Sequence, residues 1–138
     1  MILIDSNVLI DILGDDPKWF DWSLLQVAEA VATDSAVINH IVMAEVAPHH
    51  ASLEWFLTKL LELQVNMLPI NDEGAYAAGL AFRKYRRMRD GTKSVIADFL
   101  IGGHAEAVGS SILTRDPRFY RAYFPAVPLI APIKDYND

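Results

Sequence analysis

Short apolar runs that alternate with helical periodicity constrain this chain more than any other feature. MILI at 1–4, SAVIN at 35–39 and SSILT at 110–114 read as strands, VNMLPI at 65–70 as a weak strand or an extended link, and Val127 to Ile130 as a last strand at the sheet edge. Between the first two lie NVLIDILG, with Asn7 as predicted N-cap and Gly14 as stop, and a segment whose first turn Pro17 opens. In that segment Trp19, Trp22, Leu25, Val27, Ala30 and Val31 recur near helical spacing up to Thr33. HIVMAEVA is helical again, and Pro48 separates it from a helix carrying Leu53, Phe56, Leu57, Leu60 and Leu61. Asn71 and Asp72 cap a long helix expected to reach about Asp90 and to stop at Gly91. SVIADFLIGGHAEAVG makes another helix and DPRFYRAYF a short last one. Apolar strands joined by helices predict an α/β domain with a mainly parallel sheet. The 138 residues, 52 % hydrophobic and without repeat or Gly/Ser linker, suit one domain spanning 1–138.

No apolar run approaches the ~18 residues that span a bilayer, and no basic stretch precedes an apolar one at the N-terminus, so a soluble, cytoplasmic protein is expected. The absence of cysteine excludes disulfides and thiolate metal sites and leaves His, Asp and Glu as the strong side-chain ligands, which favours a hard metal ion. The net charge of −6 counts against nucleic acid until it is mapped along the chain. Residues 1–82 carry 12 acidic and 2 basic side chains, whereas residues 83–138 carry 10 basic and 6 acidic. A basic patch lies beside an acidic body.

Four acids sit among apolar neighbours, in ILIDS, VMAEVA, VIADFL and ILTRD. Asp5 falls where the first strand ends, Glu45 one to two helical turns beyond the second, Asp98 near the start of the helix before SSILT, and Asp116 just after that strand. This is the edge where ligands bind in open parallel sheets. Singly, each has an ordinary explanation: Asp5 and Asp116 as helix caps, Glu45 as a partly exposed helix residue. Asp98 resists one, because an unpaired carboxylate on an apolar helix face is costly to bury. Together the four would repel and raise one another's pKa unless a cation sat between them. An all-carboxylate set suits Mg²⁺ or Mn²⁺, and the natural chemistry of such ions is phosphodiester hydrolysis.

ILIDSNVLID, the Glu of IVMAEVA, ADFLIGGHAEAVGSSILTRD and the Phe-Tyr that follows resemble the PIN-domain ribonucleases, in particular VapC-type toxins of toxin–antitoxin pairs, over nearly the whole chain. The resemblance implies a three-layer domain in which Asp5, Glu45, Asp98 and Asp116 are the catalytic quartet and hold Mg²⁺ or Mn²⁺. One ion, bridged mainly by Asp5 and Asp98 and completed by Glu45 and Asp116, would activate water and leave 5′-phosphate and 3′-hydroxyl ends. Ser6, Asn7 and Thr114 match the small polar residues that support the acids. A small antitoxin blocking the site with an Arg or Lys, and a homodimer, are implied as partners. Two departures stand out: Gly102, Gly103 and His104 replace small alanine-like residues, and Asn39 stands where Ser or Thr is usual.

For the RNA backbone, Arg83, Lys84, Arg86, Arg87, Arg89 and Lys93 of FRKYRRMRDGTK are candidates, with a solvated helix face as the equal alternative, and Arg115 and Arg118 flank Asp116. His49, His50 and Asp11 are expected to be exposed, His104 to pack, and Trp19, Trp22 and Trp55 to serve core or subunit contacts. Two other functions remain open: a non-catalytic module that binds RNA or a partner, and a phosphatase of the haloacid dehalogenase type. The second is weakened by Asn7, where that class needs another Asp.

Overall fold

The computed structural model describes residues 1–50, 52–88 and 96–133, with backbone alone at 86–88. Five strands, β1 (Ile2–Ile4), β2 (Ala36–Ile38), β3 (Val65–Met67), β4 (Ser111–Leu113) and β5 (Leu129–Ile130), form one sheet in the order β3-β2-β1-β4-β5. Every pairing is parallel, with Leu3 opposite Val37 on one side and Ile112 on the other. The α/β reading with a parallel central sheet therefore holds. Strands of two or three residues suffice because Leu3, Ile4, Ile38, Ile112 and Leu113 are all buried, as expected of a sheet covered on both faces.

The helices are α1 (Ser6–Leu13), α2 (Phe20–Thr33), α3 (His40–Val46), α4 (Leu53–Leu63), α5 (Asp72–Met88), α6 (Ile96–Val108) and α7 (Arg118–Tyr123), with a 3₁₀ turn at Ala47–His49 around Pro48. Among the described residues, no helix is long and apolar enough to cross a membrane. Two predicted boundaries shift. The first helix is capped by Asp5, whose carboxylate accepts the Ser6 N–H, and not by Asn7. Pro17 lies in a turn before α2, where the Asp16 carboxylate takes the Lys18 and Trp19 N–H groups. The predicted stop at Gly91 falls outside the described residues.

The chain runs outward from β1 through β2 to β3, then returns to the other side of β1 for β4 and β5. The sheet thus reverses direction between β1 and β4, and a crevice opens beyond their carboxyl ends. Phe99 fixes the helices around it. Its ring meets Phe82 of α5 at 5.3 Å, Phe119 of α7 at 4.8 Å and Tyr123 at 5.2 Å, all edge to face. The residues on either side of this contact in sequence, Asp98 and those leading into α7, are placed with it.

The paired glycines of α6 are explained by close approach. A Cβ on Gly103 would lie 2.5 Å from the Ala78 backbone nitrogen and 2.7 Å from the Gly74 carbonyl oxygen of α5, and one on Gly102 would overlap the Phe124 ring. Gly103→Ala is expected to cost about 1–3 kcal/mol through forced separation of α5 and α6. Gly79, where a Cβ would meet nothing within 4 Å, gives the contrast: Gly79→Ala should stabilise by about 0.5–1 kcal/mol through helix propensity alone. Urea titration of both variants reads the two signs.

Candidate active site

Asp5 leaves β1 in extended conformation and caps α1, so its carboxylate is held at the sheet edge by the turn itself. It is 5 % exposed. Its Oδ2 accepts the Thr114 hydroxyl at 2.8 Å, with the Asn7 amide at 3.4 Å, and its Oδ1 accepts the Ser6 N–H at 2.8 Å. Asn7 also donates to Thr114 Oγ1 at 3.3 Å and accepts the Arg115 N–H at 3.2 Å, which ties the start of α1 to the end of β4. Thr114 Oγ1 further accepts the Asp116 N–H at 3.1 Å. Across the crevice, the Ser6 hydroxyl donates to Glu45 Oε1 at 2.9 Å. Ser6, Asn7 and Thr114 are thus bonded to the acids or to the backbone that carries them.

Asp98 stands in the first turn of α6. Burial, and then the charges of Asp5, Glu45 and Asp116, push its pKa from 3.8 up to about 7. One carboxyl therefore feels the other three, which brings all four acids into a single electrostatic field. Asp5 is raised as well, chiefly by burial, against the Thr114 and Ser6 hydrogen bonds that hold it down. Among the described residues, no three His, Asp or Glu side chains converge into a ready-made ion cage. The donor set is all oxygen and its field is negative, so it fits a hard divalent cation.

The sequence matches the PIN domain family over residues 2–125. This chain belongs to the PIN domain family. No curated protein is a match for the sequence. Among solved structures, the PIN domain is similar to VapBC2 from Rickettsia felis bound to a promoter DNA fragment, at 18 % identity and TM-score 0.70, with 96 % of this chain and 99 % of that one covered. It is also similar to DNA-bound VapBC from Salmonella typhimurium, at 20 % identity and TM-score 0.69 over 94 % and 96 % of the two chains. FitAcB from Neisseria gonorrhoeae follows at 22 % identity, TM-score 0.65 and the same coverage, 94 % and 96 %. The haloacid dehalogenase alternative falls with the family match.

Other candidates are placed differently from expectation. Asp11, expected in solvent, is 1 % exposed. Arg115 explains it: the guanidinium grips the Asp11 carboxylate through Nε at 2.6 Å and Nη2 at 2.9 Å, the Ser23 hydroxyl adds a bond at 2.7 Å, and Trp19 lies 5.3 Å beneath the guanidinium. Arg115 therefore joins α1, α2 and the β4–α7 loop. Taking it away would leave a buried charge alone, at about 3–5 kcal/mol. Arg118 is exposed and pairs with Asp116 at 3.0 Å. Arg83 and Lys84 are exposed on α5, Arg86 and Arg87 belong to its last turns, and Arg89 and Lys93 lie outside the described residues.

His49 is exposed, whereas His50 is half-buried against Trp55, ring centroids 4.6 Å apart, because the 3₁₀ turn folds it back onto α4. Trp55 itself remains 39 % exposed, and Trp19 and Trp22 are half-buried edge to face. His104 is fully buried and packs as expected. Asn39 caps α3 by accepting the Val42 N–H at 3.0 Å, so its amide nitrogen is left to donate to His104 Nδ1, also at 3.0 Å. The departures at 39 and 104 are therefore one paired feature, linking the helix of Glu45 to the helix of Asp98. Sequence reasoning missed Tyr120, whose hydroxyl faces Asp5; the Phe-Tyr after the last acid was its only signal.

The raised pKa of Asp98 sets a pH dependence. Between 3.8 and about 7 the native carboxyl keeps a proton that the unfolded chain has shed, so stability falls as pH rises through that window. Urea titrations in chelator from pH 4 to pH 8 should show this decline, and Asp98→Asn should flatten it relative to the parent.

Proposed function

We propose that this PIN domain is a Mg²⁺- or Mn²⁺-dependent endoribonuclease that hydrolyses RNA phosphodiester bonds, the VapC-type toxin of a toxin–antitoxin pair. The observation that carries the reading is the field at Asp98. Four carboxylates, from the end of β1, α3, α6 and the β4–α7 loop, share one sheet edge, where burial and then the charges of the other three raise the pKa of Asp98 to about 7. A folded protein retains such an arrangement at a cost in stability, and a divalent cation relieves it.

Asp5 and Asp98 would hold the ion, with Glu45 and Asp116 completing the shell directly or through water. When bound, the ion lowers the pKa of a coordinated water and neutralises charge developing on the phosphoryl oxygens. The chain's own side chains do the rest. Ser6 orients Glu45; Thr114 and Asn7 orient Asp5. Asp98 must shed its proton to serve as a ligand, so ion affinity rises with pH through about 7. Arg83 and Lys84, exposed on α5, and Arg118 at the rim of the acids are phosphate contacts in this reading, extended by Arg86, Arg87, Arg89 and Lys93 along the chain. Arg115 is not among them, because its guanidinium is committed to Asp11.

The similar structures named above include VapBC proteins, and on that likeness we extend the reading to a small antitoxin partner, a homodimer and a cytoplasmic location. An open apolar cleft of about 540 Å³ between α2 and α4, lined by Leu24, Val27, Val31 and Leu63, gives an amphipathic partner segment a place to bury its face.

The test is cleavage of end-labelled RNA by the purified, antitoxin-free protein. Cleavage should require Mg²⁺ or Mn²⁺, stop in chelator, and fall at least ~100-fold in Asp98→Asn, in line with losing a group whose removal typically costs 10²–10⁴-fold. Ion binding without cleavage of any RNA would instead favour the non-catalytic binding module.

A further inference from the structure

The Tyr120 hydroxyl is a polar group at the acidic crevice that the reading above does not use. Tyr120 lies on α7, four residues beyond Asp116, and is 2 % exposed. Its ring packs against Phe119 at 5.4 Å, and its hydroxyl is buried without a hydrogen-bond partner of proper geometry. A buried hydroxyl with no partner is rare in a native protein and asks for a reason. The direction it faces supplies one. Asp5, Asp98 and Glu45 all act on it, and it is close enough to Asp5 to lower that carboxyl's pKa without closing a full hydrogen bond. Toward a carboxylate, which accepts, the phenol serves as the donor.

We propose that Tyr120 is a positioning residue of the acidic site: its hydroxyl donates to the Asp5 carboxylate when a divalent cation is bound, fixing the orientation in which Asp5 holds the ion. The inference rests on the metal-dependent reading above and adds a donor to it. Without the ion, the hydroxyl is held ready at the cost of its own unmade bond. With the ion, it joins Thr114, Asn7 and Ser6 as a further donor to Asp5. Groups that orient a metal ligand in this way typically change ion affinity by 10- to 100-fold when removed.

The test is Tyr120→Phe, which keeps the ring and deletes only the hydroxyl. Mn²⁺ affinity is measured by calorimetry at a temperature where circular dichroism shows both proteins fully folded, and thermal melts are recorded in chelator. The expected result is a 10- to 100-fold weaker Mn²⁺ affinity, together with a metal-free melting temperature equal to or above the parent's, because an unsatisfied buried group has gone. Mn²⁺ affinity within twofold of the parent overturns the inference, whatever the melt shows. In that case parent binding that is lost in Asp98→Asn leaves the nuclease reading intact. A parent protein that binds no Mn²⁺ overturns both.

Discussion

Four carboxylates gathered at one edge of the sheet set the terms on which the rest of this PIN domain is built. Asp98 carries the mark most clearly: its pKa is displaced to about 7 by burial and by Asp5, Glu45 and Asp116 together. The surrounding structure must hold all four in place against that repulsion. The sheet does this first. Its order reverses between β1 and β4, so Asp5 and the Thr114–Asp116 segment emerge side by side although more than a hundred residues separate them in sequence. A ladder of short polar bonds from Ser6, Asn7 and Thr114 then fixes the directions of the carboxylates.

Two further devices stiffen the frame at some distance from the acids. Arg115 closes on the buried Asp11 and lies over Trp19, locking the loop that carries Asp116 to α1 and α2. Phe99, next to Asp98, is the meeting point of rings from α5 and α7. Each joins elements that the chain alone leaves far apart, and each lies within one residue of an acid. The close α5–α6 approach at Gly103 and the Asn39–His104 bond extend the same logic to the helices carrying Glu45 and Asp98.

The alternation of strand and helix was legible because strands buried on both faces must be nearly all apolar, as β1, β2 and β4 are, whereas β3, with Asn66 exposed, and the half-buried β5 signal themselves more weakly. The acids were legible for the complementary reason, as charges in apolar surroundings. Boundaries set by side-chain capping were less so: Asp5 and Asn7 are both competent caps, and only the backbone at Asp5 decides between them. Asp11 reads as a solvent residue because nothing local pairs with it. Its partner is 104 positions away, and the pair exists only once β4 lies beside β1. Arg115 was misread for the same reason, since a basic residue beside a candidate site looks like a phosphate contact until its partner is found. Tyr120 stood in the sequence only as part of the Phe-Tyr after the last acid, and only the fold turns its hydroxyl toward Asp5.

The central claim is that the four acids form one site for a divalent cation. Anomalous diffraction from crystals of the protein grown with Mn²⁺ at a pH above 7 tests it most directly. The account predicts an anomalous peak bounded by Asp5 and Asp98, with Glu45 and Asp116 completing the shell directly or through water, and its loss in Asp98→Asn. A Mn²⁺ peak elsewhere on the molecule with none among these carboxylates would contradict it.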